Sequence, residues 1–377
     1  MTHRERILAA LAHQETDRVP LDLGSSISTT LTARAHERLR VYLGLPVSVL
    51  APVMAKRAST VLPDEAILRR FDVDARPLLL GSPDNRPDRD VSADVMVDEW
   101  GVTWVKHGQS HYMNADGPFY HLDEPAVQDL DKAAWPDPAD PGRYRGLRER
   151  ARELHEKTDY AVILNLPVGP VHLCQFLRGY AEWLQDLLLH PAFAEGLFDR
   201  CVEVWTQVTS RALEEAGEFV DVVMYGDDIA TQRGPLLRPE LYRRMIKPGH
   251  KRMAEAVKRF GKPIFYHSCG SVYRLLPDLI DVGTHALNPV QVSAAEMDTQ
   301  RLKREFGRHL TFWGGIDTQS VLPRGSVQEV RAEVKRRITD LARGGGYVLS
   351  AVHNIQPEVP PENLIAMYEA AREYEKP

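Results

Sequence analysis

The sequence predicts an α/β protein built around a (β/α)8 barrel. One pattern recurs through its second half: a short apolar run, then a polar cluster, then a charged amphipathic helix. Strands that alternate with helices in this way indicate βαβ units and a parallel sheet. Residues 19–23 form an earlier run of the same kind, so the count approaches the eight strands of a barrel. The six later runs are residues 160–164, 219–224, 263–266, 286–287, 310–313 and 347–350.

Polar clusters end nearly every predicted strand, and this distribution favours a barrel over a doubly wound open sheet. A barrel builds its active site from the carboxyl ends of many strands. In an open sheet, the ligand-binding residues would concentrate at one switch point. We therefore expect the polar side chains that follow the strands to meet at the mouth of a barrel.

Residues 45–140 interrupt the strand and helix rhythm. They are rich in Pro, Asp and Arg, and they contain β-like pieces such as residues 97–104. We interpret them as an insertion over the barrel mouth that carries a small antiparallel hairpin, within one domain that spans residues 1–377. At the ends of the chain, Thr2 and Glu5 form the pattern of a capping box, and residues 362–375 are predicted to be a closing helix.

Composition excludes several classes of function. The chain has 377 residues, a formal net charge of -6 and 43% hydrophobic residues. It has no basic block of the kind that binds nucleic acid and no apolar run of about 18 residues that would span a membrane. Its three cysteines are too few for a disulfide framework, and no apolar signal core follows the first residues, so we expect a cytoplasmic protein. The oligomeric state, including a homodimer, stays open.

The segment Tyr266-His267-Ser268-Cys269-Gly270 is the strongest chemical signal. It follows an apolar strand and ends in a glycine turn. Side chains two residues apart on a strand point to the same side, so His267 and Cys269 present an imidazole and a thiol together. These are ligand types that zinc prefers. The alternative is a hydrogen-bonded histidine beside an inert core cysteine.

Other strand ends supply candidates for catalysis and substrate binding. Asp227 and Asp228 are candidate catalytic carboxylates, although one of them could serve only to cap the next turn. Four further residues are candidate substrate-binding groups because they also follow predicted strands: Asn165, His172, Gln291 and Asp317.

Over nearly its whole length the chain resembles the uroporphyrinogen decarboxylase superfamily. The resemblance implies a (β/α)8 barrel, in agreement with the pattern of strands and helices. The motifs that carry it are Tyr225-Gly226-Asp227-Asp228, His267-Ser268-Cys269-Gly270, Asn288-Pro289-Val290-Gln291, Trp313-Gly314-Gly315-Ile316-Asp317 and His353-Asn354-Ile355-Gln356.

This superfamily contains two chemistries: decarboxylation of a tetrapyrrole without a cofactor, and zinc-dependent methyl transfer involving the cobalt of a corrinoid. The decarboxylases carry an arginine-rich N-terminal segment that grips the carboxylates of the substrate. Residues 19–26 match that segment in position but contain no arginine. Clustered guanidinium groups are well suited to holding several carboxylates, so their absence argues against a porphyrinogen substrate.

The zinc methyltransferases of the superfamily keep His-x-Cys and take a third ligand, usually Cys, from the end of a late strand. In this chain the resemblance implies His267, Cys269 and His353 as the ligands, and Gln291 near a position that can face the metal. One thiolate and two imidazoles leave zinc more positive than two thiolates do, hence a stronger Lewis acid. This favours activation of a leaving group, such as a methyl ether oxygen, over methylation of a thiol.

We therefore expect an enzyme, a zinc-dependent methyltransferase that moves a methyl group from a small donor, a methoxy compound, to a corrinoid. The sequence has no Asp-x-His-x-x-Gly signature of cobalamin binding, so a separate protein would carry the corrinoid. Two alternatives remain: a decarboxylase acting on a tetrapyrrole or a smaller carboxylic acid, and a non-catalytic protein that binds metal or corrinoid.

Overall fold

The computed structural model describes residues 1–46, 50–108 and 111–374. Its strands are β1 (Leu31–Thr32), β2 (Val53–Ala55), β3 (Thr60–Val61), β4 (Ala75–Leu79), β5 (Arg89–Asp90), β6 (Val95–Val97), β7 (Thr103–Lys106), β8 (Tyr112–Asp116), β9 (Ala161–Val168), β10 (Val222–Gly226), β11 (Ile264–His267), β12 (Ala286–Asn288), β13 (Thr311–Ile316) and β14 (Tyr347–Ala351).

Helices precede, separate and follow these strands. They are α1 (His3–Leu11), α2 (Ala33–Tyr42), α3 (Glu65–Arg70), α4 (Leu147–Lys157), α5 (Pro170–Arg178), α6 (Tyr180–Leu189), α7 (Pro191–Ala216), α8 (Pro239–Leu241), α9 (Lys247–Lys258), α10 (Leu276–Val282), α11 (Thr299–Phe306), α12 (Val321–Arg324), α13 (Val327–Leu341) and α14 (Pro361–Glu373), with a π-helical turn at Tyr242–Ile246.

The parallel strands close into a barrel, which confirms the predicted fold. Seven of them pair in the order β14-β13-β12-β11-β10-β9-β4. Residues 20–22 take the place of the eighth strand, and Leu21 pairs in parallel with Leu349 of β14. On its other side, the Leu21 carbonyl accepts the Asp74 amide at 2.8 Å. Hydrogen bonds from residues 20–22 to both edges of the sheet therefore complete the ring.

One boundary expected from the sequence is corrected. β4 lies inside residues 45–140, yet it is a barrel strand that pairs with β9. Its sequence, Ala-Arg-Pro-Leu-Leu, hid it because proline and arginine are poor strand signals. Arg76 is accommodated because its guanidinium lies 3.6 Å from the ring centroid of Tyr160 and bonds Glu65. The expected insertion at residues 45–140 is therefore not continuous, because α3 and β4 lie within it.

The residues around this strand form two small sheets. β1, β3 and β2 make one, and β5 to β8 make a four-stranded antiparallel sheet. The expected hairpin is the β6–β7 pair. It packs against α5, where the rings of Trp104 and Phe176 meet edge to face at 4.7 Å.

Apolar side chains fill the barrel and close one of its ends. Alternate residues of the barrel strands, with Phe265 stacked on Trp313 at 4.4 Å, form one buried cluster together with Ile7 and Ala10 of α1. α1 begins with the predicted capping box of Thr2 and Glu5. α14 confirms the closing helix, except that position 375 lies outside the described residues. α1 covers the amino ends of the strands, so the carboxyl ends are left to form a site.

Among the described residues, no helix is both long and apolar enough to cross a membrane.

Candidate metal centre

Three side chains converge at the carboxyl ends of β11 and β14. His267 ends β11, Cys269 follows two residues later, and His353 comes just after β14. One donor atom from each lies within 4.8 Å of the others. The His267 Nε2 to Cys269 Sγ distance is 3.6 Å, and two such ligands on a tetrahedral zinc would be about 3.5 Å apart. The structure therefore brings together the three residues that the sequence singled out.

A buried amide fixes the orientation of His267. The Asn288 Nδ2 group donates to the Trp313 carbonyl at 3.0 Å, so Asn288 Oδ1 is the atom that faces His267 Nδ1 at 2.5 Å. His267 Nδ1 must then carry the proton, and the Nε2 lone pair is directed towards Cys269. Metal-binding histidines are oriented in this way by a second hydrogen bond. Asn288 was not selected from the sequence, although its position at the end of β12 was a usable signal.

The turn after Cys269 is held by Gln291. Gln291 Oε1 accepts the Gly270 amide at 2.6 Å. Gly270 has a φ of +92°, and a Cβ there would lie 2.6 Å from the Thr231 carbonyl oxygen, so only glycine suits the position. Gln291, a candidate substrate-binding residue near a position that can face the metal, thus uses its oxygen to shape the loop that carries the thiol.

The pKa shifts of the three side chains are compatible with metal binding. Burial lowers the pKa of His267, and burial together with His267 lowers the pKa of His353 to about 4. Both shifts favour the neutral ring, the form that binds a metal. Burial and the charge of Asp228 raise the pKa of the Cys269 thiol, so ionisation needs a nearby positive charge. Two nitrogen donors and one sulfur donor match the preferences of zinc.

Asp228 lies beside this cluster and His172 lies behind Asp228. Asp228 Oδ1 accepts the Cys269 amide at 2.7 Å and lies 3.9 Å from His267 Nε2. Its other oxygen is 3.6 Å from His172 Nε2. Burial opposes ionisation of Asp228, but His172 holds its pKa well below the usual range. A negative charge thus stands next to the candidate metal ligands.

Asp227 makes a different set of contacts. Its oxygens accept the backbone amides of Val171 at 3.1 Å and His172 at 3.0 Å, in the first turn of α5. His250 Nε2 contacts the same carboxylate at 3.0 Å. A Cβ at Gly169 would lie 2.5 Å from Asp227 Cγ, so this close approach depends on glycine. Asp227 is 1% exposed and anchors α5, while Asp228 is the carboxylate of the pair that faces the cluster.

The remaining two candidates hold loops. Asn165 donates to the carbonyl of Ser25 at 2.9 Å and accepts the amide of Ile27 at 3.0 Å. Asp317 accepts the amides of Gln319 at 2.8 Å and Ser320 at 3.1 Å. Asp317 follows β13 as expected, whereas Asn165 lies within β9, which continues to Val168. The polar atoms of both residues are directed to neighbouring backbone groups.

Two cavities border the strand ends. One of about 310 Å³ is lined by Thr231, Gln232, Cys269, Gln291, Gln319 and His353, among others. A second, of about 470 Å³, lies between the ends of β4 and β9 and the antiparallel sheet, and its wall includes Ile27, Met54, Arg57, Trp100, Asn165 and Trp205. The candidate metal ligands therefore open onto space that a small molecule can enter.

A (β/α)8 barrel with imidazole, thiol and carboxylate groups at the carboxyl ends of its strands has the architecture of a barrel enzyme. The chain belongs to the uroporphyrinogen decarboxylase family: the family described as "Uroporphyrinogen decarboxylase (URO-D)" matches residues 107–374.

Relatives of both chemistries are similar to the chain. The methylcobamide:CoM methyltransferase MtbA of Methanosarcina mazei is 23% identical over 374 residues, which cover 99% of this chain and 98% of that protein. A uroporphyrinogen decarboxylase of Gluconobacter oxydans is 29% identical over 202 residues, covering 52% of this chain and 53% of that protein. A solved methyltransferase structure from Methanosarcina mazei superposes with a TM-score of 0.69 at 20% identity and covers 99% of both chains, which supports the fold.

Proposed function

We propose that the protein is a zinc-dependent methyltransferase. It moves a methyl group from a small methylated donor, a methoxy compound, to the cobalt of a corrinoid that a separate protein carries. The observation that carries this proposal is the His267, Cys269 and His353 cluster at the barrel mouth. The full-length similarity to a methylcobamide:CoM methyltransferase supports it.

The three residues would hold zinc and leave one position for the donor. Bound there, zinc would act as a Lewis acid towards the leaving atom of the donor. The chain supplies the rest: Asn288 orients His267, Gln291 shapes the loop of Cys269, and Asp228 places a carboxylate on the same wall. Positioning of this kind makes a large contribution to enzyme rates.

The loop after Leu21 argues against decarboxylation of a tetrapyrrole. At the place where the decarboxylases carry arginines, Asp22 is 0% exposed and accepts the Trp313 indole N–H at 2.8 Å. Burial raises the pKa of Asp22, so the group there is a carboxyl without a cationic partner among its hydrogen-bonding neighbours. Residues 19–26 therefore supply no guanidinium group to hold the several carboxylates of such a substrate.

Metal content and methyl transfer test the proposal together. Protein purified without added metal, then supplemented with zinc, should hold one zinc per chain by mass spectrometry, and Cys269→Ser should hold far less. With reduced cobalamin and a panel of methoxyarenes, the zinc-loaded protein should produce the absorption change from cobalt(I) to methylcobalt(III). A matched control is Cys201→Ser, because Cys201 is buried on α7 away from the cluster.

Other outcomes separate the alternatives. Release of carbon dioxide from a carboxylic acid in the absence of zinc and cobalamin would favour a decarboxylase. Zinc or corrinoid binding without turnover on methoxyarenes, methylamines and methyl thiols would favour a binding protein. Failure to take up zinc at all would overturn the proposal.

A further inference from the structure

His172 occupies an unusual position between the two carboxylates. It lies in the first turn of α5, which begins at the carboxyl end of β9 and therefore at the barrel mouth. Its Nδ1 is 3.3 Å from Asp227 Oδ1, and its Nε2 is 3.6 Å from Asp228 Oδ2. About a fifth of the side chain is exposed, and Asp228 is 38% exposed. The imidazole therefore lies between the two carboxylates and is partly exposed at the barrel mouth.

The contacts of the carboxylates define the charge of this ring. Asp227 is held by two backbone amides and by His250, and Asp228 by the Cys269 amide. Although burial opposes their ionisation, the neighbouring histidines lower the pKa of both carboxylates, and an ionised carboxylate can only accept protons. Each ring nitrogen of His172 lies near one of them, although neither forms a hydrogen bond with it, and this arrangement favours a proton on both nitrogens. In agreement, although burial opposes the charge, the two carboxylates raise the pKa of His172 to about 10.

The two ends of the ring have different surroundings. Nδ1 is buried 3.3 Å from Asp227 without the geometry of a hydrogen bond. Asp227 is also contacted by His250, whose Nδ1 lies 3.2 Å from the Tyr242 hydroxyl. Nε2 is 3.6 Å from Asp228, which is longer than a formed hydrogen bond. Because Nδ1 is buried and Nε2 lies next to the partly exposed Asp228, the Nε2 proton is the one that another acceptor can reach, on the side of the candidate metal ligands. Phe176, on the same helix, covers the ring at 5.7 Å.

We infer that His172 is the proton donor to the leaving oxygen of the methyl donor. This inference rests on the proposed function and deepens it, because only a donor whose leaving group needs a proton, such as a methyl ether, makes use of such a residue. In the step, the bond from the methyl carbon to oxygen breaks and its electron pair stays on the oxygen. The oxygen takes the Nε2 proton, while cobalt(I) supplies the electron pair of the new bond to the methyl carbon. Solvent then returns a proton to His172.

The carboxylates around His172 favour its protonated form, and only a base stronger than they are would remove the proton. Asp227 and Asp228 face it from the end of β10. His250 of α9 acts from behind Asp227, and His267 of β11 lies beyond Asp228. An alkoxide or phenoxide leaving group is more basic than either ionised aspartate, so it can take the proton that they do not.

The test uses donors that differ only in the basicity of the leaving phenoxide. Methyl transfer from anisole and from para-nitroanisole to reduced cobalamin is compared for the wild type and His172→Gln, both zinc-loaded. We expect His172→Gln to slow transfer from anisole by about 10²–10⁴-fold, the contribution of a general acid. Transfer from para-nitroanisole should slow by less than about tenfold, because its weakly basic leaving group needs little protonation. His121→Gln, whose side chain is 84% exposed, should leave both rates unchanged.

A second measurement does not depend on turnover. Nitrogen-15 NMR of the histidine rings, with His172→Gln for assignment, should show a ring with two protons at pH 8. A ring with a single proton at that pH would overturn the inference. So would equal losses on both donors, which would leave the proposed function intact. Absence of transfer from either donor by the wild type would instead overturn the methyl ether assignment in the proposed function, and the inference with it.

Discussion

At the scale of single residues, the site depends on groups that orient one another. Asn288 is 0% exposed, and its amide can be satisfied in only one orientation because the Trp313 carbonyl takes its N–H. That orientation determines which nitrogen of His267 is free. The candidate metal ligands visible in the sequence therefore depend on Asn288, which is not itself a candidate ligand.

Replacing Asn288 by alanine tests this dependence. Asn288→Ala leaves His267 Nδ1 without its acceptor, so the ring can rotate or change tautomer. We expect zinc affinity, measured by competition with a chelator, to fall by about 10–100-fold. A suitable control is Asn363→Ala, which also removes a buried asparagine that donates to backbone carbonyls but lies in α14. Equal zinc affinity in Asn288→Ala and the wild type would show that His267 is oriented without this amide.

At the scale of elements, the start of α5 is joined to the end of β10. The β9–α5 turn passes so close to Asp227 that residue 169 has no room for a side chain. In return, Asp227 accepts two of the N-terminal amides of α5, which otherwise have no partner within the helix. This contact places His172 next to Asp228.

Gly169→Ala should break that arrangement. The added Cβ would lie 2.5 Å from Asp227, and overpacking of this kind costs about 1–3 kcal/mol of unfolding free energy. We expect a lower urea midpoint and slower methyl transfer from anisole, because His172 moves with the helix. In contrast, Gly234→Ala adds a Cβ with nothing within 4 Å and should change neither quantity. Unchanged stability of Gly169→Ala would mean that the turn relaxes more easily than the structure indicates.

At the scale of the whole molecule, the amino-terminal end of the barrel is closed around Asp74. This carboxylate is 0% exposed and accepts from Arg6 Nη1 at 2.6 Å, from Arg18 Nη1 at 2.7 Å and from the Leu21 amide at 2.6 Å. It thereby joins α1 and residues 18–22 to the start of β4. The eighth position of the barrel has few ladder bonds of its own, so closure relies on this network.

Asp74→Asn should therefore weaken the whole fold. The substitution removes the negative charge between two arginines, and breaking a buried ion pair costs about 3–5 kcal/mol. We expect about 3 kcal/mol, since Arg6 keeps Asp17 and Arg18 keeps Asp72. Chemical denaturation measures the loss. Asp94→Asn, in an exposed pair with Lys106, should cost less than about 1 kcal/mol. A loss for Asp74→Asn as small as that of the control would contradict the role of Asp74 in closure.

The sequence by itself determined the barrel, most of its strands and the His267 and Cys269 pair. These features follow from local rules: the alternation of strands and helices, and the common side of residues two apart on a strand. β4 was not predicted because its residues have little intrinsic preference for strands. Contacts of Arg76 with Tyr160 and Glu65 accommodate it instead. His353 was reached only through the family resemblance.

Only the tertiary structure decided which contacts each polar residue at the barrel mouth makes. Asp227 and Asp228 are neighbours in sequence, yet one binds the amides of α5 and the other faces Cys269. Asn288 and His172 gain their significance from partners 21 to 56 residues away. The physical reason is that a hydrogen bond depends on where folding places both partners, whereas local periodicity specifies only which way each side chain points.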